Sequence, residues 1–465
     1  MRRRLTMPAL PSRPMLVRAL FVLLLSLLLA ARPAVAQQVL RDAETEALFR
    51  DLARPLAISA GLQPGNVKVV LLQDPEINAF VAGGQTVYIQ SGLITHADNA
   101  NQVQGVIAHE LGHVIGGHII NFSQGAKVAT GVSLLSLLLG AAAIAAGAGE
   151  AGMGILSAGQ QAAMGKFLAF SRTQEASADA ASVRLLDGAH LSGKGSLDFF
   201  GKLRREEYRL SPSYADVDPY ALTHPTSADR QAALEADFRK SRWWNAQTDP
   251  ALEARFERVK AKLMGFVDDP KVTFATYPES NQSIPAHYAR AYAWHKSGYP
   301  KKAVAEADAL LAASPHDPYF LELKGQILLE SGNPAAAVPI LREATERTRN
   351  EPLIAALFGH ALIATEDRKN LPEAREILRT AVARDDQNPF AWYQLGLIYT
   401  QEGDLARAAL ASAERNSLEG RDNLALSNAE MAMQGIPAGT PDWIRAQDIA
   451  MVSRTALEQA KRKRR

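Results

Sequence analysis

The chain has 465 residues, 47% apolar, 22% charged and 7% aromatic, an ordinary globular composition that excludes wholesale disorder and a collagen-like repeat. Formal net charge is +2, but residues 1–36 hold six Arg and no acid, and the last five residues are all basic. Removing those eleven positive charges leaves −9 on the body, which argues against a nucleic-acid partner. There is no Cys, so disulfides, Cys-ligated zinc, thiol catalysis and Cys-linked lipid are excluded.

In chain order, residues 1–36 read as a secretory signal peptide. An Arg-rich start precedes the apolar run Ala19 to Ala30, and Ala34-Val35-Ala36 fits a small-x-small cleavage site. The apolar run is short for a bilayer span, and the alternative is an uncleaved anchor. An amphipathic helix is predicted over 39–60, with Leu40, Leu48, Phe49 and Leu52 on its apolar side. Val67 to Leu72 suits a buried strand. Ile77 to Ala82 and Thr86 to Gln90 read as two strands joined by a Gly-rich turn. Asp98 is the expected N-cap of a helix running to about Ile120.

That helix carries His109-Glu110-Leu111-Gly112-His113. Residues four apart share a helical face, so both imidazoles can reach one ion, while Glu110, one residue on, can reach a water beside it. Two His ligands, an open position and a carboxylate base suit a zinc hydrolase. The zinc needs a third protein ligand. The strongest candidate is Glu175, on a predicted helix (Gly165 to Leu186) whose small residues permit close approach. Asp179, one turn on, can accept the outer N–H of a ligand His. His118 is expected to rotate off the metal-facing side, as a core or surface His.

Between these helices, Val128 to Gly149 runs 22 residues without a charge. A single crossing would put ligands of one ion on opposite sides of a membrane. The expectation is therefore a Gly/Ala-rich helical hairpin that covers the site, packs on the protein or makes peripheral contact with a membrane surface.

Helices continue to about Met264, and residues 265–284, rich in Pro, Asp, Ser and Asn, read as a linker. Beyond it, Gly298 and Ala303 recur as Gly332 and Ala337, 34 residues later; Ala374 and Ala408 follow at 37 and 34. A period of 34 is the tetratricopeptide signature, with a short insertion in the third copy near Arg368 to Leu371. Lys461 to Arg465 read as a solvated basic tail.

HELGH at 109–113, SRTQEASAD at 171–179 and HPTSADR at 224–230 resemble the three blocks of family forty-eight of the metallopeptidases, a gluzincin group. The strand INAFVAGG also matches. With a signal peptide and a repeat array, the chain resembles the periplasmic BepA-type branch. The resemblance implies one Zn2+ on His109, His113 and Glu175, with Glu110 as general base. It places His224 and Arg230 beside the cleft, where His224 either stabilises an oxyanion or plugs the zinc. Asn78 and Ala79 are expected on an edge strand that pairs with extended substrate.

The expected architecture is an α+β gluzincin zinc-protease domain, mostly helical with a small sheet, followed by an all-α tetratricopeptide solenoid. Its parts are 1–36 signal peptide, 37–264 peptidase domain, 265–284 linker, 285–450 repeats and 451–465 tail. The expected function is a periplasmic zinc endopeptidase acting on misassembled outer-membrane proteins and their assembly machinery. The alternative is a chaperone-like adaptor with a largely silent zinc site.

Overall fold

A computed structural model describes residues 38–118, 130, 132–139, 149–210 and 228–463. Residues 1–37, which include the stretch expected as a signal peptide, most of Val128 to Gly149 and His224 lie outside the described residues. From Val39 onward the described residues form one compact unit.

The chain enters through strand β1 (Gln38–Leu40), so Leu40 belongs to a strand rather than to the first helix. Helix α1 (Ala43–Ser59) starts where the Asp42 carboxylate accepts the Thr45 N–H at 2.8 Å. Strands β2 (Lys68–Gln73), β3 (Ala79–Ala82) and β4 (Thr86–Gln90) complete a sheet of order β1-β2-β4-β3. β2 and β4 are parallel, Lys68 facing Thr86. β3 and β4 form an antiparallel hairpin, Ala79 facing Ile89. β3 is therefore an edge strand, and Gly83 and Gly84 make its turn with φ of +63° and +97°.

Helix α2 (Ser91–His96) leads into α3 (Ala100–Ile115). The N-cap of α3 is Asn99, not Asp98: the Asn99 side chain accepts the Gln102 N–H at 3.0 Å, while Asp98 pairs with Lys202 at 2.6 Å. Helix α4 (Gly149–Gly188) is far longer than the predicted Gly165 to Leu186. Helices α5 (Lys194–Leu210), α6 (Ala228–Phe238) and α7 (Pro250–Val267) follow. One apolar core joins them, with Leu52 and Leu56 of α1, Ile89 of β4, Ile107 and Leu111 of α3, Phe199 of α5 and Phe256 of α7. Among the described residues no helix is long and apolar enough to cross a membrane.

The segment expected as a linker is ordered. It holds α8 (Pro270–Thr276), whose N-cap Asp269 accepts the Lys271 N–H. α7 packs so tightly on α9 (Ile284–Lys296) that a Cβ on Gly265 would lie 2.4 Å from the Ala289 carbonyl oxygen. From α9 the chain forms antiparallel helix pairs: α10 (Pro300–Ala313) closes the first. α11 (Pro318–Glu330) with α12 (Pro334–Arg347), and α13 (Pro352–Ala364) with α14 (Leu371–Arg384), come next. α15 (Pro389–Glu402) with α16 (Leu405–Leu418), and α17 (Asp422–Gly435) with α18 (Pro441–Lys463), complete the array. The recurring Ala303, Ala337, Ala374 and Ala408 are all buried. Gly325 and Gly359 sit under Leu341 and Leu378 of the following helix, where a Cβ would lie 2.5 and 2.6 Å from the Leu side chain. Small residues at one repeat period thus set the helix spacing. The third-copy insertion is a short 3-10 turn at Arg368–Asn370. The basic end is helical to Lys463 as part of α18.

A buried charge network ties α1 to the repeats. Lys262 Nζ lies 2.5 Å from Asp42 Oδ2, and Arg258 bridges Glu44 at 2.6 Å and Asp317 at 2.8 Å. The Tyr288 hydroxyl donates to Glu44 Oε2 at 2.7 Å.

Candidate metal centre

The centre forms where α3 crosses α4. Gly112 makes the crossing close: a Cβ there would meet the Ala178 carbonyl oxygen at 2.7 Å. With no side chain at 112 and only a methyl at 178, the backbones touch, and the residues flanking both positions face each other. His109 and His113 come from α3, and Glu175 and Asp179 from α4, each pair one helical turn apart.

His109 Nε2 and His113 Nε2 are 3.1 Å apart. Glu175 Oε2 is 3.4 Å from the first and Glu175 Oε1 3.3 Å from the second. All three residues are buried, and they form a group able to hold a metal. A tetrahedral ion with bonds of about 2.0–2.1 Å requires donor–donor edges of about 3.3–3.4 Å, so the two nitrogens and the carboxylate fit zinc. Glu110 is fully buried on the same helix, one residue from His109.

The groups behind the ligands are fixed as well. Asp179 Oδ1 lies 3.1 Å from His109 Nδ1, which orients that imidazole with Nε2 toward the centre. Burial disfavours a charged His109, but its hydrogen bonds to Asp179 and Glu175 outweigh that and hold its pKa up at about 10. To hold a metal, His109 would have to release the proton on Nε2. Burial raises the Asp179 carboxyl, yet His109 and Arg230 overcome it and keep the carboxyl below its ordinary value.

Arg230 meets the carboxylates of the centre. Its Nε donates to Asp179 Oδ2 at 2.7 Å, its Nη2 donates to Asp179 Oδ1 at 2.9 Å, and Nη2 is 3.1 Å from Glu175 Oε2. Among the described contacts it orients two carboxylates of the centre. Phe200 of α5, which no sequence signal marks, sets its ring 6.1 Å from His109 and 5.7 Å from the Arg230 guanidinium.

His118, expected off the metal-facing side, also lies here. Its Nδ1 lies 2.9 Å from His113 Nδ1, and the ring is buried. The expected side chains of Asn78 and Ala79 are buried too. Gln90 N–H donates to the Asn78 carbonyl at 3.0 Å, so Asn78, Phe80 and Ala82 hydrogen-bond to β4. Alternation then turns the backbone groups of Ala79 and Val81 outward on the edge strand.

Residues 39–237 match peptidase family M48. The chain is 24% identical over 379 residues to the beta-barrel assembly-enhancing protease of Escherichia coli strain K12, covering 80% of this chain and 75% of that one. It is 36% identical over 183 residues to the metalloprotease LoiP of the same strain, covering 38% of this chain and 65% of LoiP. Among solved structures, YrrB, a TPR protein with an unusual peptide-binding site, is 21% identical with a TM-score of 0.31, over 38% of this chain and 92% of that chain. The repeat assignment here rests on the helix pairs themselves.

Proposed function

We propose that the chain, whose residues 39–237 match peptidase family M48, works as a zinc metalloprotease that cleaves misassembled outer-membrane proteins in the periplasm, with the repeat array recruiting them or their assembly machinery. Its similarity to a beta-barrel assembly-enhancing protease supports that substrate class. The observation that carries the catalytic part is the convergence of His109, His113 and Glu175 at 3.1–3.4 Å beside Glu110.

In this reading His109, His113 and Glu175 hold the zinc. When bound there, zinc supplies a Lewis acid for peptide hydrolysis. Glu110 takes a proton from the attacking water and returns it to the leaving nitrogen. Asp179 and Arg230 are positioning residues: the first holds the His109 tautomer, the second holds Asp179 and Glu175. Ala79 and Val81 offer outward backbone groups to which an extended polypeptide can add as a further strand. His224 remains the residue assigned by motif, as oxyanion stabiliser or plug. The leucines at 134, 135, 137, 138 and 139 are exposed on the helical segment 132–139, with Met153 of α4 also exposed, which supports peripheral contact with a membrane surface.

The test pairs the parent with Glu110→Gln, using an unfolded outer-membrane β-barrel protein as substrate. The parent should cleave it and lose activity to a chelator; the variant should keep zinc and fail to cleave. In cells lacking the parent, Glu110→Gln should not rescue barrel assembly. Full rescue by the variant would favour the adaptor reading instead.

A further inference from the structure

We infer that His118 is a positioning residue for the zinc, holding His113 through an imidazole–imidazole hydrogen bond. The inference rests on the reading of His113 as a zinc ligand. His113 directs Nε2 toward His109 and Glu175, so that nitrogen must keep its lone pair for a metal. Its proton then sits on Nδ1, which faces His118 Nδ1 at 2.9 Å with the rings nearly perpendicular at 78°. His118 Nδ1 is the acceptor, and His118 carries its own proton on Nε2. The two ligand imidazoles are therefore held by unlike partners: a carboxylate behind His109 and a neutral ring behind His113.

The backbone is shaped for this contact. α3 stops at Ile115, and Gly117, with φ of +63°, turns the chain back so that residue 118 returns over the helix end. Gly116 is the seat of the ring: a Cβ there would lie 2.4 Å from His118 Nε2. Gly116 itself has an ordinary helical φ of −75°, so the space, not the backbone, requires glycine. A helix continuing through 118 would have carried the side chain off this face.

The experiment measures zinc affinity of the full chain by competition with a chromophoric chelator, beside thermal melting of chelator-stripped protein. His118→Phe keeps a ring and removes the acceptor. It should weaken zinc binding about 10–100-fold and leave the stripped-protein melting unchanged. His118→Gln, with an amide oxygen to accept the same proton, should recover most of the loss. Gly116→Ala should weaken zinc by a similar factor, yet add nothing in the His118→Phe background, because both act through one contact. The inference is overturned if His118→Phe binds zinc within about twofold of the parent, or if its loss matches a drop in stripped-protein melting. Should His118→Phe fail to fold, parental zinc affinity in Gly116→Ala overturns it equally. His113→Ala separates the two levels. Zinc retained in that variant defeats the ligand reading and this inference with it, whereas zinc lost there but kept in His118→Phe defeats the inference alone.

Discussion

Gly112→Ala tests whether the crossing of α3 and α4 sets the metal geometry. The added methyl would sit 2.7 Å from the Ala178 carbonyl oxygen and 2.9 Å from its Cα, both backbone atoms of a helix. Ordinary contact begins near 3.4 Å, so the helices must part by roughly 0.7 Å. His109 and His113 ride on one helix and Glu175 on the other, so the separation falls on the 3.4 and 3.3 Å distances from the two imidazoles to the two oxygens of the Glu175 carboxylate. Zinc sites tolerate bond-length errors of only about 0.2 Å. Overpacking of this kind costs about 1–3 kcal/mol of stability, and zinc affinity should fall at least about tenfold, ~1.4 kcal/mol. Chelator competition and metal analysis of the purified variant read the effect, with circular dichroism confirming the fold. A variant that binds zinc as tightly as the parent would refute the argument that this contact positions the ligands.

Asp179→Asn keeps an acceptor for His109 but loses the charge that Arg230 and the imidazole share; zinc affinity should drop about tenfold, read by the same competition. Lys262→Met removes the cation from a site where Asp42 and Glu44 are both close, at 2.5 and 3.5 Å, and should destabilise the chain by about 3 kcal/mol in urea unfolding; an unchanged midpoint would contradict the network's role. Glu322 gives a pH prediction. Burial, with Asp42, Glu351 and Glu44 nearby, pushes its carboxyl from 4.5 up to about 8 against the pull of Lys262. The folded state therefore binds more protons than the unfolded state between pH 4.5 and 8, and its stability falls as pH rises through that window. Glu322→Gln should flatten this slope and make the variant more stable than the parent at pH 8.5 by about 1–3 kcal/mol; parallel profiles for the two proteins would contradict it.

The metal-facing residues were legible because their chemistry and helical spacing agree: two His four apart, and Glu175 and Asp179 four apart among small residues. The repeats were legible because buried Ala and Gly recur at a fixed period. What escaped has physical causes. Asp98 and Asn99 are both good cap formers, and tertiary pairing with Lys202 drew Asp98 away. Pro270 and Asp269 look like linker composition but are the start of a helix. Helical spacing through Ile120 would carry His118 off the metal-facing side, but Gly116 and Gly117 end the helix at Ile115 and return His118 to His113. Arg230 is joined to Asp179 across 51 residues, a separation that no local pattern reports.

X-ray absorption at the zinc edge, on the purified chain and on Glu175→Ala, bears most directly on the centre. The account predicts stoichiometric zinc in the parent, with two imidazole nitrogens and a carboxylate oxygen at about 2.0–2.2 Å, and a lost oxygen ligand with weakened metal in the variant. An absorption spectrum without imidazole scattering, or one unchanged by Glu175→Ala, would contradict it.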